Sequence, residues 1–206
     1  RANKQVVQKL ATMDGILSIR KMPHFIITNE PEDADADLDV KVPEANAEYP
    51  VVGLLDSGVE KIDHLKNWIL SDDDFPFDPE DISRRHGTLV AGILLYGDEL
   101  FGREVTGSLP CKIMDCLVNT PEISVRESEL IAYIKENVHK YPEIKIWNLS
   151  QGCDVPISDS QFSDFAIALD ELQRENDIII CKSAGNGAPE SLNRITEGAD
   201  SIYCLV

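Results

Sequence analysis

The amino-acid sequence predicts a doubly wound α/β domain, a mostly parallel sheet with helices on both faces, preceded by a small α+β piece. Two observations carry this. Four short apolar runs rich in β-branched residues, at 51–55, 112–118, 144–149 and 178–181, alternate with stretches of helical periodicity. Polar residues and glycines cluster just after the first and last of these runs, where open α/β sheets gather their sites.

Taken in order, residues 4–13 carry Val6, Val7, Leu10 and Met13 at helical spacing. Asp14-Gly15 signals a turn, Ile16 to Ile19 alternate like a strand, and Phe25-Ile26-Ile27 forms another apolar run after Pro23. Residues 1–29 therefore read as the tail of a separate small α+β unit. Residues 30–49 read as an acidic, mobile linker, because they hold too few large apolar side chains to offset the entropy of ordering them. Residues 50–206 form the α/β domain. Within it Thr88 to Tyr96 predicts a buried helix. Leu130, Ile131, Ile134 and Val138 mark a second, and Phe162, Phe165, Ala166, Leu169 and Leu172 a third.

Nineteen basic against 37 acidic residues give a formal charge of −18. That argues against nucleic acid or an anionic membrane as partner, since both require a basic face. No run of eighteen apolar residues is present, so no membrane span is expected. The chain opens at Arg1 without a basic-then-apolar leader and reads as part of a longer protein. Its five cysteines, Cys111, Cys116, Cys153, Cys181 and Cys204, are odd in number and lack C-x-x-C spacing. They predict neither a zinc site nor a disulfide framework, but small buried hydrophobes in a reducing, cytoplasmic setting. No metal site is predicted.

Three stretches carry candidate chemistry. Val51 to Leu55 runs into Asp56-Ser57-Gly58; His86-Gly87-Thr88 opens the buried helix; Ser183-Ala184-Gly185-Asn186-Gly187 follows the last apolar run. Singly, each has a plainer reading. A strand-end Asp also serves as a Mg²⁺ ligand or helix cap, a histidine at a helix start is usually structural, and an A-G-N stretch is usually a turn. A nucleotide-binding reading lacks a G-x-G-x-x-G or Walker-type loop after Leu55.

Together and in this order, with Val90-Ala91-Gly92 and Asn148-Leu149-Ser150-Gln151-Gly152, these motifs resemble the peptidase domain of the subtilisin family from about Tyr49 onward. The resemblance implies a serine endopeptidase working through an acyl-enzyme. Asp56 would orient the imidazole, His86 would act as general base and then acid, and Asn186 would donate into the oxyanion hole. Ser150, Gln151 and Gly152 would pair with the extended substrate, and Ala184 and Gly185 would form the facing wall. Gln151 departs from the leucine common there. The family's nucleophile lies in a G-T-S-M-A-like turn well beyond the asparagine, and no G-T-S occurs here, so the domain is expected to be incomplete at its carboxyl end and this stretch alone inactive. Residues 1–29 resemble the end of a subtilase propeptide, with an unrelated amino-terminal domain as the alternative reading; the family requires no cofactor, and a calcium ion is allowed that no pattern here places. The setting would be the bacterial cytoplasm, with a peptide or protein substrate and an AAA-type ATPase as partner. The competing expectation is a pseudoprotease, a module that binds peptides without cutting them.

Overall fold

The computed structural model describes residues 3–16, 19–20, 22–26, 38–71, 75–104, 110–153, 155–158, 160–185 and 195–206. In chain order its elements are α1 (Lys4–Leu10), β1 (His24–Ile26), β2 (Val51–Asp56), β3 (Ile69–Leu70), α2 (Arg85–Phe101), β4 (Lys112–Leu117), β5 (Val125–Arg126), α3 (Glu127–Lys140), β6 (Ile146–Leu149), β7 (Gly152–Cys153), α4 (Asp164–Asn176) and β8 (Ile179–Lys182).

The four predicted apolar runs become β2, β4, β6 and β8. With the short β3 they form a five-stranded sheet of order β3-β4-β2-β6-β8, every neighbouring pair parallel. From β2 the chain runs to the edge strand β3, returns inward to β4 beside β2, then crosses to β6 and β8 on the other side. The switch point therefore lies at the carboxyl end of β2, where Asp56 sits.

Alternating side chains feed two cores. Leu54 and Ile113 face α2, packing with Ala91, Leu95, Tyr96, Leu65 and Trp68. Leu55, Cys116, Trp147, Leu149 and Ile180 face α3 and α4, packing with Leu130, Ile134, Val138, Phe165, Leu169 and Leu172. Gly53 is required in β2 because it stands opposite Trp147 on β6; a Cβ there would fall 2.1 Å from the indole.

Helix ends follow local chemistry. Ser163 Oγ accepts the Ala166 N–H at 3.1 Å to open α4, and Glu129 accepts the Arg126 N–H at 3.1 Å to open α3. Gly102, at φ 62°, closes α2 in the left-handed conformation. The buried helix expected over 88–96 runs from Arg85 to Phe101, with non-helical backbone at Tyr96. Tyr96 Oη donates to His64 O and accepts the Lys41 N–H, so the tyrosine is held from outside the helix.

Two expectations need correction. Ile16 and Ile19 are exposed and outside any strand, having no partner strand to pair with among the described residues. The described part of the expected mobile linker, 38–49, lies against the body: Trp68 Nε1 donates to Lys41 O at 2.8 Å, and Lys41 Nζ reaches Leu95 O and Glu99. A few hydrogen bonds and the Tyr49–Trp68 ring contact supply what bulk hydrophobicity did not.

All five cysteines are free thiols, three of them buried, and burial raises the pKa of four. Among the described residues no helix is long and apolar enough to cross a membrane.

Candidate active site

β2 delivers Asp56 to the rim of the sheet, fully buried, with its backbone still paired to β4. The chain turns at Ser57-Gly58, where Gly58 has φ 86°. Across this turn α2 begins. Gly87 must lack a side chain, because a Cβ would stand 2.2 Å from the Gly58 carbonyl oxygen. Two further bonds stitch the motifs together: Gly87 N–H donates to Ser57 Oγ at 3.1 Å, and Glu60 N–H to Thr88 Oγ1 at 2.9 Å. The small residues flanking Asp56 and His86 thus set the distance between them.

That distance is 2.7 Å from His86 Nδ1 to Asp56 Oδ1. The same oxygen accepts the Ser57 N–H at 2.7 Å, while Oδ2 is buried and has no hydrogen-bond partner among the described residues. His86 sits in the first turn of α2, with 15% of its side chain exposed. Burial works to lower its pKa, but the hydrogen bond and charge of Asp56 outweigh that, and the imidazole titrates above its ordinary value. A buried carboxylate on Nδ1 also fixes the tautomer, leaving Nε2 as the ring's acceptor. The arrangement suits a general base.

The other predicted stretches reach the same rim. Ser150, Gln151 and Gly152 follow β6, and Ala184 and Gly185 follow β8. They meet directly, since a Cβ on Gly152 would lie 3.4 Å from Gly185 Cα. Ser183 Oγ donates to Gln151 O at 2.9 Å and Ser183 N–H to Leu149 O at 3.2 Å. The Gln151 side chain turns inward, accepting from Asn119 Nδ2 at 3.0 Å and donating to Leu55 O at 3.5 Å. Asn186 lies outside the described residues. Among those described, no group of three or more acidic, histidine or cysteine side chains could hold a metal ion.

Three contributors escaped sequence reasoning. Asn119 follows β4 and ties that strand's end to Gln151. Lys182 is the last residue of β8, buried, its ammonium on the Gln151 and Ser183 carbonyls. A lysine closing an apolar run just before S-A-G-N was the available signal. The third is β1, which lies between β5 and β7, antiparallel to both, pairing Phe25 with Cys153 and Ile26 with Gly152.

Residues 48–203 match the sequence model of the subtilase family, Peptidase S8, well over half of the chain. The chain belongs to the subtilase family. Among solved structures, a serine-to-alanine mutant of the protease domain of PatA is similar, with TM-score 0.52 and 17% identity. The match covers 75% of this chain and 55% of that one, so the likeness is one of fold, and the chain spans little more than half of its structural relative. No curated protein matches the chain. In this subtilase the D-S-G and H-G-T motifs are the two held together at the switch point.

Proposed function

We propose that this subtilase is a serine endopeptidase in which Asp56 orients His86, and His86 takes the proton of a nucleophilic serine supplied by sequence beyond Val206. His86 then returns that proton to the leaving amine as the acyl-enzyme forms, and water, deprotonated by the same imidazole, releases the acyl group. Asn186 donates to the developing oxyanion. The observation that carries the reading is the 2.7 Å contact between a buried carboxylate and the Nδ1 of a helix-start histidine.

The reading extends to the amino-terminal piece. Gly152 belongs to the stretch that would pair with substrate, and β1 is hydrogen-bonded along it. An extended peptide adding to that edge would take the place β1 occupies, with Phe25 buried in the body as a substrate side chain would be. Residues 1–29 then act as a propeptide that keeps the enzyme latent. No resident cofactor takes part in this scheme, and an AAA-type ATPase remains the proposed partner within a cytoplasmic setting.

The test is active-site labelling of the full-length, processed protein with a serine-directed fluorophosphonate. Labelling is expected in the wild type and lost in His86→Ala. Retained labelling in His86→Ala removes the role given to His86. A wild type that binds peptides yet never labels favours a pseudoprotease.

A further inference from the structure

Lys182 ends a strand whose other members, Ile179, Ile180 and Cys181, are apolar, and only 3% of it is exposed. A buried ammonium is costly unless each of its three donors finds an acceptor. Here all three do. Nζ donates to Gln151 O, to Ser183 O at 2.7 Å and to Ser183 Oγ at 3.4 Å. Ser183 Oγ in turn donates to the same Gln151 carbonyl at 2.9 Å. The aliphatic stem passes Gly198, where a Cβ would come within 3.3 Å of Lys182 Cε. Burial alone drives the amine down to about 8, against the pull of Cys153, Cys204 and Asp200 around it.

The acceptors belong to the two walls of the cleft. Gln151 lies in the 150–152 stretch, Ser183 immediately before Ala184 and Gly185. One ammonium therefore fastens wall to wall from behind. One residue past Gln151 and two past Ser183 the walls are still close, since a Cβ added to Gly152 would lie 3.4 Å from Gly185 Cα. Thr196 packs behind Gly185, its Oγ1 2.6 Å from where a Cβ would be, so the second wall is braced against retreat.

We propose that Lys182 is a positioning residue that sets the width of the slot between residues 150–152 and 183–185, selecting peptides whose residue before the cleaved bond is glycine or alanine. This rests on the protease reading for the identity of the slot, and deepens it by naming the substrate class. Lys182 touches no reacting atom; it acts through the two backbones it holds.

The experiment uses the full-length protein and two series of tetrapeptides differing only in the last residue, Ala, Leu or Phe. One series is free acids, read by binding; the other is chromogenic amides, read by kcat/KM. Any cost of displacing β1 is common to a series and cancels in the ratios. The wild type is expected to favour Ala over Phe by about tenfold or more in both, the scale on which pocket size discriminates. Lys182→Met is expected to bring the ratio near one, by lowering KM for Leu and Phe while kcat on the Ala substrate holds. Ser183→Ala, which removes one cross-wall hydrogen bond, to Gln151 O, and one acceptor of the Lys182 ammonium with little loss of volume, is expected to move it part of the way, and decides the matter if Lys182→Met does not fold. A wild-type preference for Phe, or a ratio unmoved in both folded variants, overturns the proposal. A wild type that fails to label with fluorophosphonate while its free-acid ratio still shifts in the variants overturns the protease reading and leaves the slot assignment standing.

Discussion

Asp56 concentrates its hydrogen bonds on one oxygen, taking both the Ser57 N–H and His86 Nδ1 on Oδ1. Burial disfavours the protonated imidazole, but the hydrogen bond and charge of Asp56 outweigh it, so His86 charges more readily than a free histidine. A raised folded-state pKa contributes stability that is fully present below the ordinary imidazole range and lost as pH rises through the raised value. Catalysis runs the other way, since only neutral His86 accepts a proton. Asp56→Asn should therefore move the acid limb of the kcat/KM profile to lower pH and cut the plateau by about 10⁴-fold, the loss known for the Ser-His-Asp template. NMR titration of the His86 ring should follow the limb downward. The melting-temperature deficit of the variant should be larger near pH 6 than near pH 9. At this scale Asp56 and His86 were legible from the order of D-S-G and H-G-T along the chain, since a strand-end acid and a helix-start histidine each have a plainer structural use alone. Lys182 was missed because its apolar neighbours made it one more member of a strand, although a lysine closing that run just before S-A-G-N was a usable signal.

Between elements, the amino-terminal strand shows what local patterning leaves out. β1 has three residues and gains its order from β5 and β7, more than a hundred positions away for most pairs, and from Phe25 stacking on Phe165 at 4.5 Å. Sequence periodicity marked the apolar run but could not show the edges that receive it, so the piece read as a separate unit. Arg20 fastens the same segment. It bridges Glu127 at 3.2 Å and Asp164 at 2.6 Å, the first residues of α3 and α4, and Glu197 at 2.9 Å. Burial raises the pKa of Glu127 and Glu197, with Arg20 opposing it. Removing the guanidinium leaves two buried carboxylates uncompensated wherever they are ionised. Arg20→Ala should lower amide protection at Phe25 and Ile26 by about tenfold or more in hydrogen exchange, with β2 amides changing less. Its melting deficit should be greatest near neutral pH and shrink on acidification, as both carboxyls take up protons and their uncompensated charge disappears.

For the molecule as a whole, alternation of apolar runs with helical stretches was enough to predict a parallel sheet covered on both faces, because each strand must bury two sides and each helix one. Strand order was less visible. β3, the edge strand, has two residues and no periodicity to betray it. Motif order supplied what periodicity could not, since D-S-G, H-G-T and the stretch after β6 all arrive at one rim. Among the described residues, that rim carries the buried Asp56, Asp115 and Lys182.

In the proposed latent form β1 and the cleft it would block are parts of one polypeptide, and this has a kinetic consequence. A detached peptide inhibitor loosens its hold on dilution; a tethered one keeps the same local concentration at any dilution. Latency of the uncut protein should thus be unchanged across a thousandfold range of enzyme concentration, measured as residual turnover per molecule. After a cut between strand and body, activity should rise as the sample is diluted, because the severed piece then has somewhere to go.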